Sequence, residues 1–308
     1  MRIEEMTEHL KLSKNGIIAV AAAEDVVVLQ AVSQAKKRGF ANAVLCGDRH
    51  AILDVAEQNC LDISMFEIVD TATKKDAARA AVSLVRQKKA NMLMKGMIHT
   101  ADLLRAVLDK ENGLREREVL SHVSVVSSPV LERTLLLTDA AMVPYPDLPT
   151  KVKLIENAVI VAHGLGIAYP RVAPLAAVEI INPNMPATMD AAILSVMNRR
   201  NQITGCMVDG PLAMDAALSE TAASHKGIDS SVAGKADILL FHNIEAANSV
   251  LKTFTNAGNC LFGGIVMGAS APIILASRSD SEYSKLYSII CASAISAFME
   301  QPFCESCG

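Results

Sequence analysis

The chain has no tryptophan, and aromatic residues make up only 4% of its 308 positions. Stacking platforms for single-stranded nucleic acid are therefore scarce. Basic charge is in equally short supply, with 29 Lys and Arg against 33 Asp and Glu and a formal net charge of -4. The cations come in small groups such as Lys36-Lys37-Arg38 and Lys88-Lys89, which read as solvated helix ends. A nucleic-acid surface concentrates Lys and Arg well beyond this, so that class is excluded.

No uninterrupted apolar stretch reaches the ~18 residues that a bilayer span needs. The most apolar late segment, Leu286 to Met299, is short and carries Ser288, Cys291, Ser293 and Ser296, which suits a buried helix. Acidic residues at Met1-Arg2-Ile3-Glu4-Glu5 stand where a secretory signal places an apolar run. A soluble, cytoplasmic protein is the expectation. The seven cysteines form no disulfide framework, and most lie in apolar patterns where free Cys acts as a small hydrophobe. Cys304-x-x-Cys307 lacks a second ligand pair and reads as an exposed tail.

Familiar signatures are missing as well. There is no Gly-x-x-x-x-Gly-Lys-Ser/Thr loop, no Gly-x-Ser-x-Gly elbow and no His-Glu-x-x-His pair. Ala21-Ala22-Ala23-Glu24-Asp25 follows the first strand where a dinucleotide-binding turn would carry glycines.

What is present is alternation. Gly16–Ala21 reads as a buried strand, followed by a helix from about Glu24, with acidic residues in its first turn and Gly39 as a left-handed cap. Strands at 41–46, 66–69 and 92–94 alternate with helices at 74–88 and 100–108. A second series starts near Leu135. Its strands fall at 135–138, 172–178, 203–208, 238–241, 265–267 and 273–275, with helices at 151–163, 187–198 and 245–252. A final helix over 281–298 places Tyr283, Leu286, Tyr287, Ile290 and Ala294 on one stripe. Strands alternating with helices of this length predict parallel sheets, in two abutting α/β lobes with a cleft between them. Half of the residues are hydrophobic, enough to fill two cores.

Polar residues recur just after these strands: Lys95-Gly96, Thr138-Asp139, Asp209-Gly210-Pro211 and Ser277-Arg278-Ser279-Asp280. Each alone fits an ordinary turn. Parallel strands, however, bring their ends to one edge, where α/β folds bind ligands, and the cations among these residues point to an anion site. Arg278 offers a planar fork for a phosphate oxyanion, with Ser277 beside it and Ser279 or Ser281 able to cap the next helix. Its plainer role is a surface ion pair. Arg105, in the helix opened by Thr100-Ala101-Asp102, has the plainer role of an i,i+4 partner for Asp109.

Several blocks, in order and spacing, resemble the phosphate acetyl/butyryltransferases, and within them the phosphate butyryltransferase branch. They include Met94-Lys95-Gly96, Thr100-Ala101-Asp102-Leu103-Leu104-Arg105, Thr138-Asp139-Ala140-Ala141-Met142, Asn182-Pro183-Asn184-Met185-Pro186 and Val208-Asp209-Gly210-Pro211. Lys226-Gly227-Ile228, Ser230, Glu245-Ala246, Asn248 and Ser277-Arg278-Ser279-Asp280-Ser281 complete the set, which runs from about Ile17 to Ala297. The resemblance implies a two-lobed α/β fold like the isocitrate and isopropylmalate dehydrogenases, with mostly parallel central sheets and an interlobe cleft. The lobes would be 1–132 completed by 279–308, which brings the last helix back to the N-terminal lobe, and 133–278.

The implied reaction is reversible transfer of a short, butyryl-like, acetyl or branched acyl group between coenzyme A and inorganic phosphate. The implied chemistry uses no metal or bound cofactor, and the subunits pair as a homodimer or larger homo-oligomer. Ser277 and Arg278 correspond to the catalytic pair, and Arg105 to a residue of the substrate site. Lys95, Gly96, Thr100, Asp139, Asp209, Lys226, Ser230, Glu245 and Asn248 are the further substrate-binding candidates. Ser284 stands where the acetyl branch has an Asp proposed to act on the thiol, leaving Asp280 and Glu282 as nearby acids. Ala247 stands where the family usually has Gly; if that Gly lets backbone approach substrate, the extra methyl would narrow the site. The competing readings are a non-catalytic CoA-metabolite-binding protein, an acyl-carrier-protein:phosphate acyltransferase, and a decarboxylating dehydrogenase. The last lacks its acidic metal ligands here.

Overall fold

The computed structural model of the chain describes residues 16–131, 133–276 and 280–301. In chain order its elements begin with β1 (Gly16–Ala21), α1 (Val26–Lys37), β2 (Ala41–Gly47), α2 (Arg49–Gln58), β3 (Glu67–Asp70), α3 (Lys74–Arg86), β4 (Met92–Lys95) and α4 (Thr100–Val107). They continue with β5 (Ser121–Ser127), β6 (Thr134–Thr138), α5 (Leu148–Gly164), β7 (Arg171–Pro174), α6 (Pro186–Arg199), β8 (Met207–Val208), α7 (Met214–Leu218) and α8 (Glu220–His225). Last come β9 (Ile238–Leu240), α9 (Ile244–Asn256), β10 (Leu261–Met267), β11 (Ile273–Ile274) and α10 (Glu282–Met299).

The described elements make two compact units, one from residues within 16–118 and 263–301, the other from residues within 119–262. The sequence reading exchanged units at 132/133 and 278/279. Strand β5 goes with the second unit because it pairs antiparallel with β6, Val123 opposite Thr138. Strands β10 and β11 go with the first because β11 pairs with β4 (Ile273 opposite Leu93) and antiparallel with β10 (Ile273 opposite Val266).

In the first unit the strand order is β3-β2-β1-β4-β11-β10. Strands β1, β2, β3 and β4 pair in parallel, and β1 and β4 are apolar on both faces because helices cover both. Helix α1 starts later than its sequence suggests. Asp25 is its N-cap, accepting from Val28 N at 2.9 Å, so Glu24 precedes the helix and its first turn holds no acid. Gly39 ends the segment at φ 76, as a left-handed cap requires.

Helix α10 packs against α1. Its hydroxyls are what make so apolar a helix specific. Ser288 Oγ accepts from Gly264 N at 3.1 Å and donates to Ser284 O at 2.9 Å, and Ser296 Oγ donates to Asn91 O at 3.1 Å. Asn91 in turn accepts from Ile17 N at 2.7 Å and donates to Glu300 at 2.8 Å, tying the starts of β1 and β4 to the helix end. Tyr283 departs from the expected apolar stripe: it is 71% exposed, one residue into the first turn, whereas Leu286, Tyr287 and Ile290 are buried.

In the second unit the order is β5-β6-β9-β7-β8, parallel except for β5. Leu135, Leu137, Leu239 and Phe241 join Ala247 and Leu251 of α9 in one core, while α5 lies against β5, β6 and β9 and buries Leu154, Ile155 and Ala158. Two expected strands are shorter than their apolar runs. Strand β8 keeps two residues because the Asn198 side chain takes the neighbouring backbone groups, donating to Ile203 O and Cys206 O and accepting from Val208 N, each at 2.9 Å. Strand β7 ends at Pro174, and the chain beyond Ala176 leaves the sheet, exposing Ile180 and Ile181.

The end of β4 allows no side chain after Lys95. A Cβ at Gly96 would lie 2.0 Å from Ala22 O and 2.9 Å from Ala21 O, both backbone atoms that cannot swing aside. Gly96→Ala is expected to cost about 3 kcal/mol, the upper part of the overpacking range. A melting experiment should show a drop of roughly 6–12 °C, and an unchanged midpoint would contradict the close approach.

Candidate active site

Sheets covered on both faces can present polar side chains only where strands end, so candidate residues are found at the carboxyl edges. In the first unit, Lys95 is the last residue of β4 and is buried, with Gly96 next and Thr100 opening α4. Arg105 is largely exposed and its Nη1 lies 2.5 Å from Asp102 Oδ1. Its partner is therefore i−3, not Asp109, which instead accepts from Glu111 N at 3.1 Å and Asn112 N at 2.7 Å. Ser281 caps α10, accepting from Ser284 N at 3.2 Å. Ser277, Arg278 and Ser279 lie outside the described residues, as do Cys304 and Cys307.

In the second unit one network gathers Asp139, Glu245 and Asn248. Asp139 follows β6 through a cis Thr138-Asp139 peptide and is 2% exposed. Its Oδ2 accepts from His122 N and its Oδ1 from Ala141 N and Met142 N, each at 2.8 Å. Burial pushes this carboxyl above the ordinary aspartate value, against the pull of those backbone N–H groups. The loop so held then reaches α9. Asn248 Nδ2 donates to Ala140 O at 3.1 Å, Ile244 N to Pro144 O at 2.9 Å, and the Tyr145 hydroxyl to Glu245 Oε1. Asn243 caps α9 by accepting from Ala246 N at 3.0 Å.

Ala247, the Gly-to-Ala departure, is fully buried among Leu251, Phe241 and Leu239. Its methyl faces the core of the unit, which corrects the expectation that it narrows a substrate site.

The remaining candidates sit apart from that network. Asp209 follows β8, with its N–H donating to Val172 O at 3.2 Å, and a cis Gly210-Pro211 bond comes next. Lys226 Nζ donates to Glu179 Oε1 and Asp215 Oδ1, both at 2.8 Å, and these bonds hold its pKa above the ordinary lysine value. Ser230 Oγ accepts from Val232 N at 3.1 Å and Ala233 N at 3.2 Å, a hydroxyl-closed turn.

Sequence reasoning passed over a third group at the same edge: Lys151 of α5, Asp190 of α6 and His242 just after β9. Lys151 Nζ lies 2.5 Å from Asp190 Oδ2 and 2.9 Å from His242 Nδ1. A signal for it exists, since Lys151 shares the helical stripe of Leu154, Ile155 and Ala158 and a cation on a buried face needs partners. His122, also unassigned from sequence, is buried and neutral. Burial pushes its pKa down to about 4, and its Nδ1 is 3.3 Å from Ser124 Oγ.

The amide of an Asn at 139 would set an N–H donor against the backbone N–H groups that the carboxylate now serves. Asp139→Asn is therefore expected to destabilise by about 1–3 kcal/mol and to loosen the 140–142 loop. Hydrogen exchange at Ala141 and Met142 is the check, with wild-type protection in the variant counting against this role.

Residues 1–79 and 71–293 match the family described as phosphate acetyl/butaryl transferase. The chain is 50% identical over 291 residues to the phosphate butyryltransferase of Clostridium acetobutylicum, covering 94% of this chain and 97% of that one. It is 42% identical over 289 residues to the phosphate acetyltransferase of Thermotoga maritima, covering 94% and 98%. The structure of a branched-chain phosphotransacylase from Enterococcus faecalis superposes with a TM-score of 0.81 at 33% identity, over 91% of this chain and 99% of that one. A 4-hydroxythreonine-4-phosphate dehydrogenase from Klebsiella pneumoniae shares the fold, with a TM-score of 0.57 at 11% identity over 92% and 99%. By this family match and these near full-length identities, the chain belongs to the phosphate acetyl/butaryl transferase family.

Proposed function

We propose that the protein catalyses acyl-CoA + phosphate = acyl phosphate + CoA, with butyryl-like groups preferred. The observation that carries this reading is the near full-length similarity, at 50% identity, to a phosphate butyryltransferase. An oxygen of hydrogen phosphate attacks the thioester carbonyl carbon, the C–O bond forms, the C–S bond breaks, and the leaving thiolate takes up the proton that the phosphate loses. Ser277 donates to the tetrahedral oxyanion or to a phosphoryl oxygen, and Arg278 neutralises phosphate charge with its planar fork. Holding both substrates together supplies proximity without a covalent enzyme intermediate. Lys95, Gly96, Thr100, Arg105, Asp209, Lys226, Ser230, Glu245 and Asn248 are the substrate-binding residues of this reading. Asp139 acts through the loop that it holds. The one residue that favoured a non-catalytic binding protein was Ala247, and its burial in the core removes that support.

We further infer a cytoplasmic homo-oligomer. No helix among the described residues is long and apolar enough to cross a membrane. Cys46, Cys206 and Cys291 are buried thiols, which suits a reducing compartment. On α6, Met189, Ile193 and Val196 form an exposed stripe at helical spacing, close in sequence to exposed Ile180 and Ile181. Such an apolar patch suits a subunit interface.

Phosphate-dependent release of CoA thiol should occur across an acyl-CoA series, with higher kcat/KM for butyryl-CoA than for acetyl-CoA. An acetyl preference would overturn the branch assignment. Arg278→Lys should lose roughly ten- to hundred-fold and Arg278→Ala more, because a charge-assisted bond contributes ~1.5–3 kcal/mol. Near-wild-type turnover in folded Arg278→Ala would remove the phosphate clamp. Light scattering should give a dimer or larger assembly that Ile193→Lys shifts toward monomer, and a monomeric wild type would refute the oligomer.

A further inference from the structure

The Lys151, Asp190 and His242 group is built, not incidental. Lys151 is 2% exposed, near the start of a helix whose inward face is otherwise apolar, and burying a cation there is costly unless its donors are met. Asp190 of α6 meets one donor at 2.5 Å and His242 Nδ1 another at 2.9 Å. An ammonium group has donors and no acceptor. Nδ1 of His242 must therefore present its lone pair to Lys151, which places the imidazole proton on Nε2.

The charged groups facing the ring are Lys151 from α5 and Asp190 from α6, whose Oδ2 is 3.9 Å from Nδ1. Partial burial, then the Lys151 charge, lowers the ring's pKa, with Asp190 opposing more weakly. With its Nδ1 lone pair turned to Lys151, the ring is a neutral Nε2–H donor. Nε2 has no partner among the described residues, the side chain is 36% exposed, and the ring lines a shallow concavity that is open to solvent. Pro174, Leu175, Leu240 and Phe241 from the ends of β7 and β9, with Ala191 and Leu194 from α6, make the rest of its wall. It opens at the carboxyl edge of parallel strands, where α/β folds bind ligands. Residue 243 then caps α9, whose first turns carry Glu245 and Asn248.

We propose that His242 is a substrate-contacting hydrogen-bond donor, its Nε2–H fixed by the positioning residues Lys151 and Asp190, and that it serves a phosphoryl or acyl oxygen of the substrates. This rests on the acyltransferase reading above. A neutral donor suits that task because it stabilises charge that develops on oxygen without forming a tight ion pair with the bound ground state.

Nitrogen-15 NMR of the full chain with labelled histidine reads the ring directly. Wild type should show His242 as the neutral Nε2–H form, titrating below the ordinary histidine value. Lys151→Met should let the proton distribute over both nitrogens and raise the ring's pKa, since the cation is gone and Asp190 remains. Inorganic phosphate, butyryl-CoA and CoA are then added separately. A shift of the Nε2 signal with phosphate identifies a phosphoryl contact, and a shift with butyryl-CoA but not CoA identifies an acyl carbonyl contact. Equal shifts with both thioester and thiol, or no shift with any, would overturn the assignment.

In turnover, His242→Ala should lower kcat/KM roughly ten- to hundred-fold, and His242→Gln, which keeps an N–H, should restore most of it. Lys151→Met added to His242→Ala should cost little more, because both act through the same ring. Should Lys151→Met fail to fold, Lys151→Met with Asp190→Leu removes both charges together. An Nδ1–H form in wild type, or full activity in folded His242→Ala, sinks the proposal. Wild type inactive on every acyl-CoA would instead sink the acyltransferase reading and leave the tautomer result standing by itself.

Discussion

A parallel sheet covered by helices on both faces has no room for charge along its strands, and that constraint orders everything else in this protein. In β1, β4 and β9 nearly every side chain is apolar and buried. Charged side chains gather where these parallel strands stop, because there the backbone turns out of the sheet and leaves open space. Lys95, Asp139, Asp209 and His242 all stand at such stops. They come from stretches of chain far apart in sequence, and within each unit the strand order alone decides which are neighbours.

Placing charge at the rim of an apolar core has a cost, and each buried group meets it in its own way. Asp139 is surrounded by backbone N–H groups of its own loop and of β5, so its charge is spread over peptide dipoles. Lys151 relies on one carboxylate and one imidazole. These arrangements fix geometry as well as energy. Asp139 sets the 140–142 loop, that loop sets Asn248 through Ala140 O, and the first turn of α9 follows. A residue can thus matter to the site without touching a ligand.

The architecture was largely legible in the sequence. The apolar runs at 16–21 and 92–94 and the end of α1 fall where periodicity and Gly39 put them, since short-range rules govern such elements. The reading lost accuracy where a side chain replaced backbone pairing. Asn198 takes the ladder bonds of 203–208, so an apolar run that looks like a strand becomes mostly loop. Strand β5 was overlooked for the converse reason. Its Ser121, His122 and Ser124 look like a wetted surface, yet they are buried and bonded to Asn157 and to one another.

By itself the sequence determined the α/β class, the strand-end positions of Lys95, Asp139 and Asp209, and the family, because each depends on local pattern or on ordered motifs. Tertiary structure alone decided what those residues do to one another. It turned the Asp139 carboxylate onto backbone amides and sent the Ala247 methyl into the core. It also joined Lys151, Asp190 and His242 across gaps of 39 and 91 positions. The physical reason is that helix and strand preferences act over a few residues, whereas a buried charge is satisfied only by whichever partners the packed fold brings within hydrogen-bond reach.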